Sequence, residues 1–420
     1  MNQVLLAASI FLITYAVIIS ERVHRTTAAL LGGSLMILSG VVSQEEAFHA
    51  VDLNVIFLLA GMMMIAYLIG ETGLFQWLAA LAVRLGRGRP VPIMVILAII
   101  TALASALLDN VTVVVLIAPV SVFVALNLGV SPVPFLITGV MASNIGGAAT
   151  LIGDPPNILI GSAAGIDFFT FLTNMGPPVL ISMLCFLPLM AWLFRKDLPD
   201  SPAGARSPLR LPMDELITDR RLLIQTGIVL GLVLLGFLLH GALHLEPATI
   251  ALGGAALLLL VTRRDPQEIL EHVEWSTLLF FVGLFISVEA LVSVGIIRWI
   301  ASLLLDFSHA NLGGATIFML WFSALASGII DNIPYTAAMI PLIQSLEESI
   351  STQPLWWALA LGADFGGNLT IVAASANLVV ANIAARGGYR LSFGLFLRYG
   401  VVTVLVTMVI ASVYVWIRYL

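Results

Sequence analysis

The chain has 420 residues, of which 60% are hydrophobic, 10% are charged and one is cysteine; its mean hydropathy is +1.07. Soluble domains carry roughly 25% charged residues, so this composition excludes a soluble globular protein. The lone Cys185 excludes an intrachain disulfide and a multi-thiolate metal site.

Apolar runs of spanning length begin at once. Segment 3–20 has no small-residue cleavage site and is read as a retained helix rather than a signal peptide. Further runs follow at 27–42 and 54–70, then an amphipathic connector at 73–86 whose Trp77 and Arg84 suit a membrane interface. Residues 91–128 are two apolar arms around Asp109-Asn110. A turn in water is normally a cluster of Gly, Pro, Asn, Asp and Ser. Here two polar residues stand in apolar sequence, so a re-entrant hairpin with its tip inside the membrane is expected. The stretch Asn144-Ile-Gly-Gly-Ala-Ala-Thr-Leu-Ile-Gly-Asp-Pro-Pro-Asn157 cannot be one helix: Pro155 and Pro156 remove two backbone donors, and Gly146, Gly147 and Gly153 make unwinding cheap. Runs at 179–194, 222–240, 247–262 and 276–292 lead to a second connector at 295–306. A second pair of arms spans 312–347 around Asp331-Asn332, a second broken segment spans Asp364–Asn377, and a last run covers 396–417.

The second half rewrites the first. Ala104-Ser105 and Asp109-Asn110 recur 222 residues later as Ala326-Ser327 and Asp331-Asn332, with Pro119 matched by Pro341 and Trp77 by Trp299. Further on the offset is 220: Asn144 faces Asp364, Thr150 faces Thr370 and Asn157 faces Asn377. Repeat 1 is read over 1–200 (scaffold about 1–90, hairpin and broken helix about 91–200), a linker over 201–221, and repeat 2 over 222–420 (scaffold about 222–306, hairpin and broken helix about 307–420). With the N-terminus outside, 16 of the 18 Lys and Arg residues fall on one face, Arg298 and Arg418 excepted, and that face is expected to be cytoplasmic. Equivalent helices are then an odd five spans apart, so the repeats are inverted. The expected fold is an all-α polytopic membrane protein of about 10 spans plus two hairpins.

Ionisable groups at mid-bilayer cost at least ~2.5–3.5 kcal/mol each on insertion scales, yet Asp109, Asp154, Asp331 and Asp364 lie in or beside spanning segments. The expected proton- and substrate-binding residues are these four with Asn110, Thr112, Asn144, Gly146, Gly147, Thr150, Asn157, Asn332, Asn368, Thr370, Ser375 and Asn377. Asp109 and Asp331 are expected to face each other near mid-membrane and to carry the protons; Na+ binding at the same two residues is the alternative. The Gly-Gly pairs at 146–147 and 366–367 are expected to supply flexible backbone. No Lys or Arg occurs from Pro90 to Phe194 or from Trp299 to Ala385, so a strong anion is expected to meet carboxyl groups and no fixed cation.

These motifs — Leu108-Asp109-Asn110-Val111-Thr112, Asn144 to Thr150, Gly153-Asp-Pro-Pro-Asn157, Asp331-Asn332-Ile333-Pro334, and Gly366-Gly367-Asn368 with Ser375-Ala-Asn377 — resemble the ion transporter superfamily, in its ArsB/NhaD branch that includes the P protein. The resemblance implies inverted repeats, each of scaffold helices, a re-entrant hairpin and a broken helix, with substrate between tips and breaks. It implies arsenite/antimonite efflux or Na+/H+ antiport. Related dicarboxylate carriers have Ser-Asn-Thr at the tips, where this chain has Asp-Asn. The leading expectation is proton-coupled efflux of arsenite or antimonite across the inner, cytoplasmic membrane; the alternative is an NhaD-type Na+/H+ antiporter. Neutral As(OH)3 presents three hydroxyls that Asp, Asn and Thr can bind. No enzyme activity, cofactor or nucleic acid is expected, and the coupling ion is H+. An intramembrane aspartyl protease would need Gly-x-Gly-Asp, which Leu151-Ile-Gly-Asp154 lacks. No Gly-x-x-x-x-Gly-Lys motif is present; a separate ATPase subunit and a second copy of the chain are the partners left open.

Overall fold

A computed structural model describes residues 3–20, 22–199, 215–300, 302, 312–347 and 349–420. Most of the expected 201–221 linker, and part of the 295–306 connector, lie outside these residues. All regular structure described is helical. Repeat 1 comprises α1 (Gln3–Ser20), α2 (Arg25–Leu38), the short α3 (Gln44–His49), α4 (Leu53–Glu71), α5 (Leu74–Leu85), α6 (Pro90–Leu107), α7 (Asn110–Asn127), α8 (Val133–Gly147), α9 (Pro155–Ala164) and α10 (Phe168–Leu193). Repeat 2 comprises α11 (Arg220–Leu243), α12 (Pro247–Thr262), the short α13 (Pro266–Leu270), α14 (Trp275–Ser293), α15 (Leu312–Ile329), α16 (Asn332–Gln344), α17 (Gln353–Gly366), α18 (Ser375–Arg386) and α19 (Phe393–Tyr419). Among the described residues nine helices are long and apolar enough to cross a membrane.

The packing is paired twice over. Each first hairpin arm lies along the first half of its own broken helix, α6 on α8 and α15 on α17. Each second arm lies on the second half of the other repeat's broken helix, α7 on α18 and α16 on α9. The scaffolds also cross between repeats, α4 on α12 and α2 on α14. Glycine permits this close crossing: a Cβ on Gly61 would strike the Ala251 backbone, and one on its counterpart Gly283 would strike the Ala29 backbone.

The hairpins are re-entrant. They start from opposite faces, yet Asn110 at one tip and Asn332 at the other both touch Asp154. Two hairpins that enter from opposite faces and meet at one residue cannot both have crossed. The arms are nearly as long as full spans: α6, α7 and α15 have 18 residues each, about 27 Å at 1.5 Å per residue. The expected run at 179–194 begins too late. Helix α10 starts at Phe168 and runs through Pro177 and Pro178, because neighbouring helices in a bundle compensate for the lost donors.

Candidate functional site

The two breaks are built alike. Helix α8 ends at Gly147, and α9 restarts after Asp154, an extended residue with φ −143° and ψ 139°. Pro155 and Pro156 occupy the first two positions of α9, where a missing N–H costs nothing. Helix α17 ends at Gly366, and α18 restarts after Ala374, with φ −146° and ψ 143°. No proline is needed there because the same side chains tie both breaks. Asn157 Nδ2 donates to the carbonyls of Gly147 (3.3 Å) and Thr150 (3.1 Å), and Asn377 Nδ2 donates to those of Gly367 (2.8 Å) and Thr370 (2.9 Å). The Thr150 hydroxyl donates to Ala106 O (2.6 Å) and the Thr370 hydroxyl to Gly328 O (2.7 Å). Each threonine thereby fastens a break to the first arm of its own hairpin.

The glycine pairs permit close approach of backbone to backbone. Gly146 and Gly366 are helical residues, and a Cβ on either would strike the backbone of the adjoining arm, at Ala102 and Ala324. A Cβ on Gly147 would crowd the Gly153 carbonyl, so this pair folds the break tightly on itself.

At the tips the aspartates are helix caps. Asp109 accepts the N–H groups of Val111 (3.2 Å) and Thr112 (2.9 Å) and the Thr112 hydroxyl (2.6 Å). Asp331 accepts the N–H of Ile333 (3.0 Å) and the hydroxyl of Ser375 (3.1 Å). Capping satisfies orphan donors and complements the helix dipole. The residues that meet across the repeats are instead the neighbouring asparagines. Asn110 Nδ2 donates to Asp154 Oδ2 at 2.8 Å, and Asn332 Nδ2 approaches both Asp154 oxygens at 3.4 and 3.5 Å.

A fixed cation is present, contrary to the expectation drawn from the long Lys- and Arg-free stretches. Arg25, the first residue of α2, places Nη1 3.1 Å from Asp331 Oδ2. It also donates to Ser375 Oγ and to Thr277 Oγ1 (3.5 Å), and lies over the Phe280 ring. Sequence reasoning missed Arg25 because it has no counterpart: 222 residues on stands Pro247. A cavity of about 570 Å³ is lined by Arg25, Asp331, Ser375 and Asn382. A second, of about 380 Å³, is lined by Thr112 together with Glu71, His272 and Glu274 of the basic face.

Asn144 occupies the centre. Its Nδ2 donates to Asn368 Oδ1 (3.1 Å) and to Asn377 Oδ1 (3.0 Å), and its Oδ1 lies 3.5 Å from Asn110 Nδ2. Asn144, Asp154, Asn157, Asp364, Asn368 and Asn377 are each at most 2% exposed. Four polar atoms of this cluster have no hydrogen-bond partner among the described residues: both carboxyl oxygens of Asp364, Asn157 Oδ1 and Asn368 Nδ2. Buried polar groups are normally paired, so the orphans beside the two helix breaks single out this centre as the candidate site.

Comparison with known proteins agrees with this architecture. Residues 15–362 match the profile of CitMHS, described as citrate transporter. An uncharacterized transporter of Mycobacterium tuberculosis is 44% identical, over 99% of both chains. The human P protein is 34% identical over the whole of this chain, which spans 60% of that longer protein. The crystal structure of the Alcanivorax borkumensis YdaH transporter, described as having an unusual topology, superposes with a TM-score of 0.62 over 99% of this chain and 98% of that one, at 18% identity. The interlocked hairpins and twin breaks thus have a family: the chain is a multi-pass membrane transporter that belongs to the CitMHS family of the ion transporter superfamily.

Proposed function

We propose that the chain is a proton-coupled secondary transporter that moves arsenite or antimonite out across the cytoplasmic membrane. The observation that carries this reading is the acidic, asparagine-rich centre between the repeats, near which Arg25, the cation found there among the described residues, is already paired with Asp331. Neutral As(OH)3 offers O–H donors to Asp154, Asp364 and Asn157 Oδ1, and Asn368 Nδ2 can donate in return. Citrate, which the family description names, would bring several negative charges toward Asp109, Asp154 and Asp364 with a single, committed arginine to balance them. That disfavours a strong anion here. Movement of the hairpins and broken helices against the crossed scaffolds would expose the centre alternately to each face, and a proton gradient rather than a nucleotide would drive it.

One observation favours a second reading, Na+/H+ exchange. The two Asp364 oxygens and Asn157 Oδ1 are unpartnered acceptors, and hard cations take oxygen ligands. Expression in a host lacking its own arsenite pump separates the readings. Resistance to arsenite and antimonite, with none to arsenate, is the expected result. A gain of Na+ or Li+ tolerance alone would replace it with the second reading, and citrate uptake would overturn both.

A further inference from the structure

The cavity at Arg25 has a twin on the opposite face. That twin, of about 460 Å³, is lined by Ile158, Ser162, Leu245 and Pro247. At the repeat offsets of 220 and 222 these residues become Leu378, Asn382, Val23 and Arg25, which line the inner cavity of about 570 Å³. Each cavity thus lies between the second half of one broken helix and the scaffold of the other repeat. The twins differ in depth. The inner one reaches Ile330 and Asp331 at a hairpin tip and Ser375 at a helix restart. Their counterparts Leu108, Asp109 and Pro155 line no part of the outer one, and Leu108 is 4% exposed. The structure therefore opens toward the centre from the basic face and is closed to it from the other.

Two contacts hold this state, and neither can be remade in its mirror image. Arg25 of α2 pairs with Asp331 and donates to Ser375. The Tyr15 hydroxyl of α1 donates to Pro334 O at 2.9 Å. In the mirror state the repeats exchange roles, so Asp109 would come to Pro247 and Thr112 to Phe237. Pro247 carries no charge. Phe237 has no hydroxyl, and its ring lies on Phe168. Contacts that both repeats make are present in both states and cancel, whereas contacts of one repeat alone tip the balance. We infer that Arg25, with Tyr15, is a one-sided latch that holds the solute-free transporter open to the cytoplasm. The inference rests on the alternating exposure proposed above and gives that cycle its resting state. An efflux carrier then waits on the side where its solute is, and departure of the hairpin toward the other face requires the Arg25–Asp331 pair to separate.

The test uses single cysteines in the full-length Cys185→Ala protein, with a membrane-impermeant thiol reagent and neither solute nor pH gradient. Ile330→Cys reports the inner opening and its counterpart Leu108→Cys the outer. In the parent, Ile330→Cys should label in inverted vesicles, and Leu108→Cys should stay unlabelled in right-side-out vesicles. Arg25→Gln should raise the ratio of outer to inner labelling by about tenfold, the scale of a hydrogen bond to a charged group. Tyr15→Phe, which copies Phe237, should raise it less. Pro247→Arg supplies the missing cation at the outer end and should raise it without touching the inner pair. Equal labelling of the two cysteines in the parent, or a ratio unchanged by Arg25→Gln, would overturn the latch. Where Arg25→Gln fails to fold, a ratio unchanged by both Tyr15→Phe and Pro247→Arg would do so. No solute or gradient enters the measurement, so absent arsenite flux with the labelling shift intact would sink the proposed function alone.

Discussion

Arg25 shows how a single side chain changes the electrostatics of the centre. It comes from the scaffold and reaches past a helix start to Asp331, with side-chain exposures of 26% and 13%. Hydrogen bonds to charged groups are worth ~1.5–3 kcal/mol, so Arg25→Gln is expected to lower stability by about that amount, as read by thermal unfolding in detergent. Adding Asp331→Asn should recover part of the loss, because it removes the stranded charge. Equal stability of wild type and Arg25→Gln would show that the pair is incidental. Asn144 is the other pivotal residue, since its amide bridges the repeats through Asn368 and Asn377. Asn144→Ala leaves two buried acceptors empty at ~1–3 kcal/mol each. Both stability and transport should fall, and unimpaired flux in that variant would remove Asn144 from the site.

Among the elements, what was legible in the sequence follows from local chemistry. The first break could be read because Asp154-Pro155-Pro156 forbids a continuous helix, and the hairpins because Asp109-Asn110 and Asp331-Asn332 interrupt long apolar arms. The second break was legible through the repeat rather than through its own residues. What could not be read was tertiary. Arg25 meets Asp331 across 306 positions, and no local pattern marks such a partner. That the asparagines of the tips and not the aspartates reach the centre depends on which residue caps α7 and α16. The glycines were seen, but their reason, backbone against backbone at Ala102 and Ala324, needed the packed structure. Overpacking costs ~1–3 kcal/mol, so Gly146→Ala and Gly366→Ala are each expected to lower the melting temperature. Gly139→Ala in α8, where an added Cβ meets nothing within 4 Å, should be neutral or mildly stabilising.

For the molecule as a whole, the inverted repeats fix sidedness. In a Cys185→Ala background, Ser131→Cys lies in the turn between α7 and α8 on the basic face, and Ser39→Cys lies at the far end of α2; both serines are exposed. A membrane-impermeant thiol reagent applied outside intact cells should label the second and spare the first. The reverse pattern would turn the molecule over and make the basic face external, against the usual bias of Lys and Arg.

The central claim is that a proton gradient drives a small, non-anionic solute through the acidic centre between the repeats. Its most direct measurement is flux in proteoliposomes carrying the purified chain, with a pH gradient imposed across the membrane and arsenite, antimonite, Na+, Li+ and citrate offered in turn. The account predicts movement of arsenite or antimonite against the proton flow, collapsing when a protonophore dissipates the gradient. Citrate movement with arsenite, antimonite and Na+ all inert would contradict it.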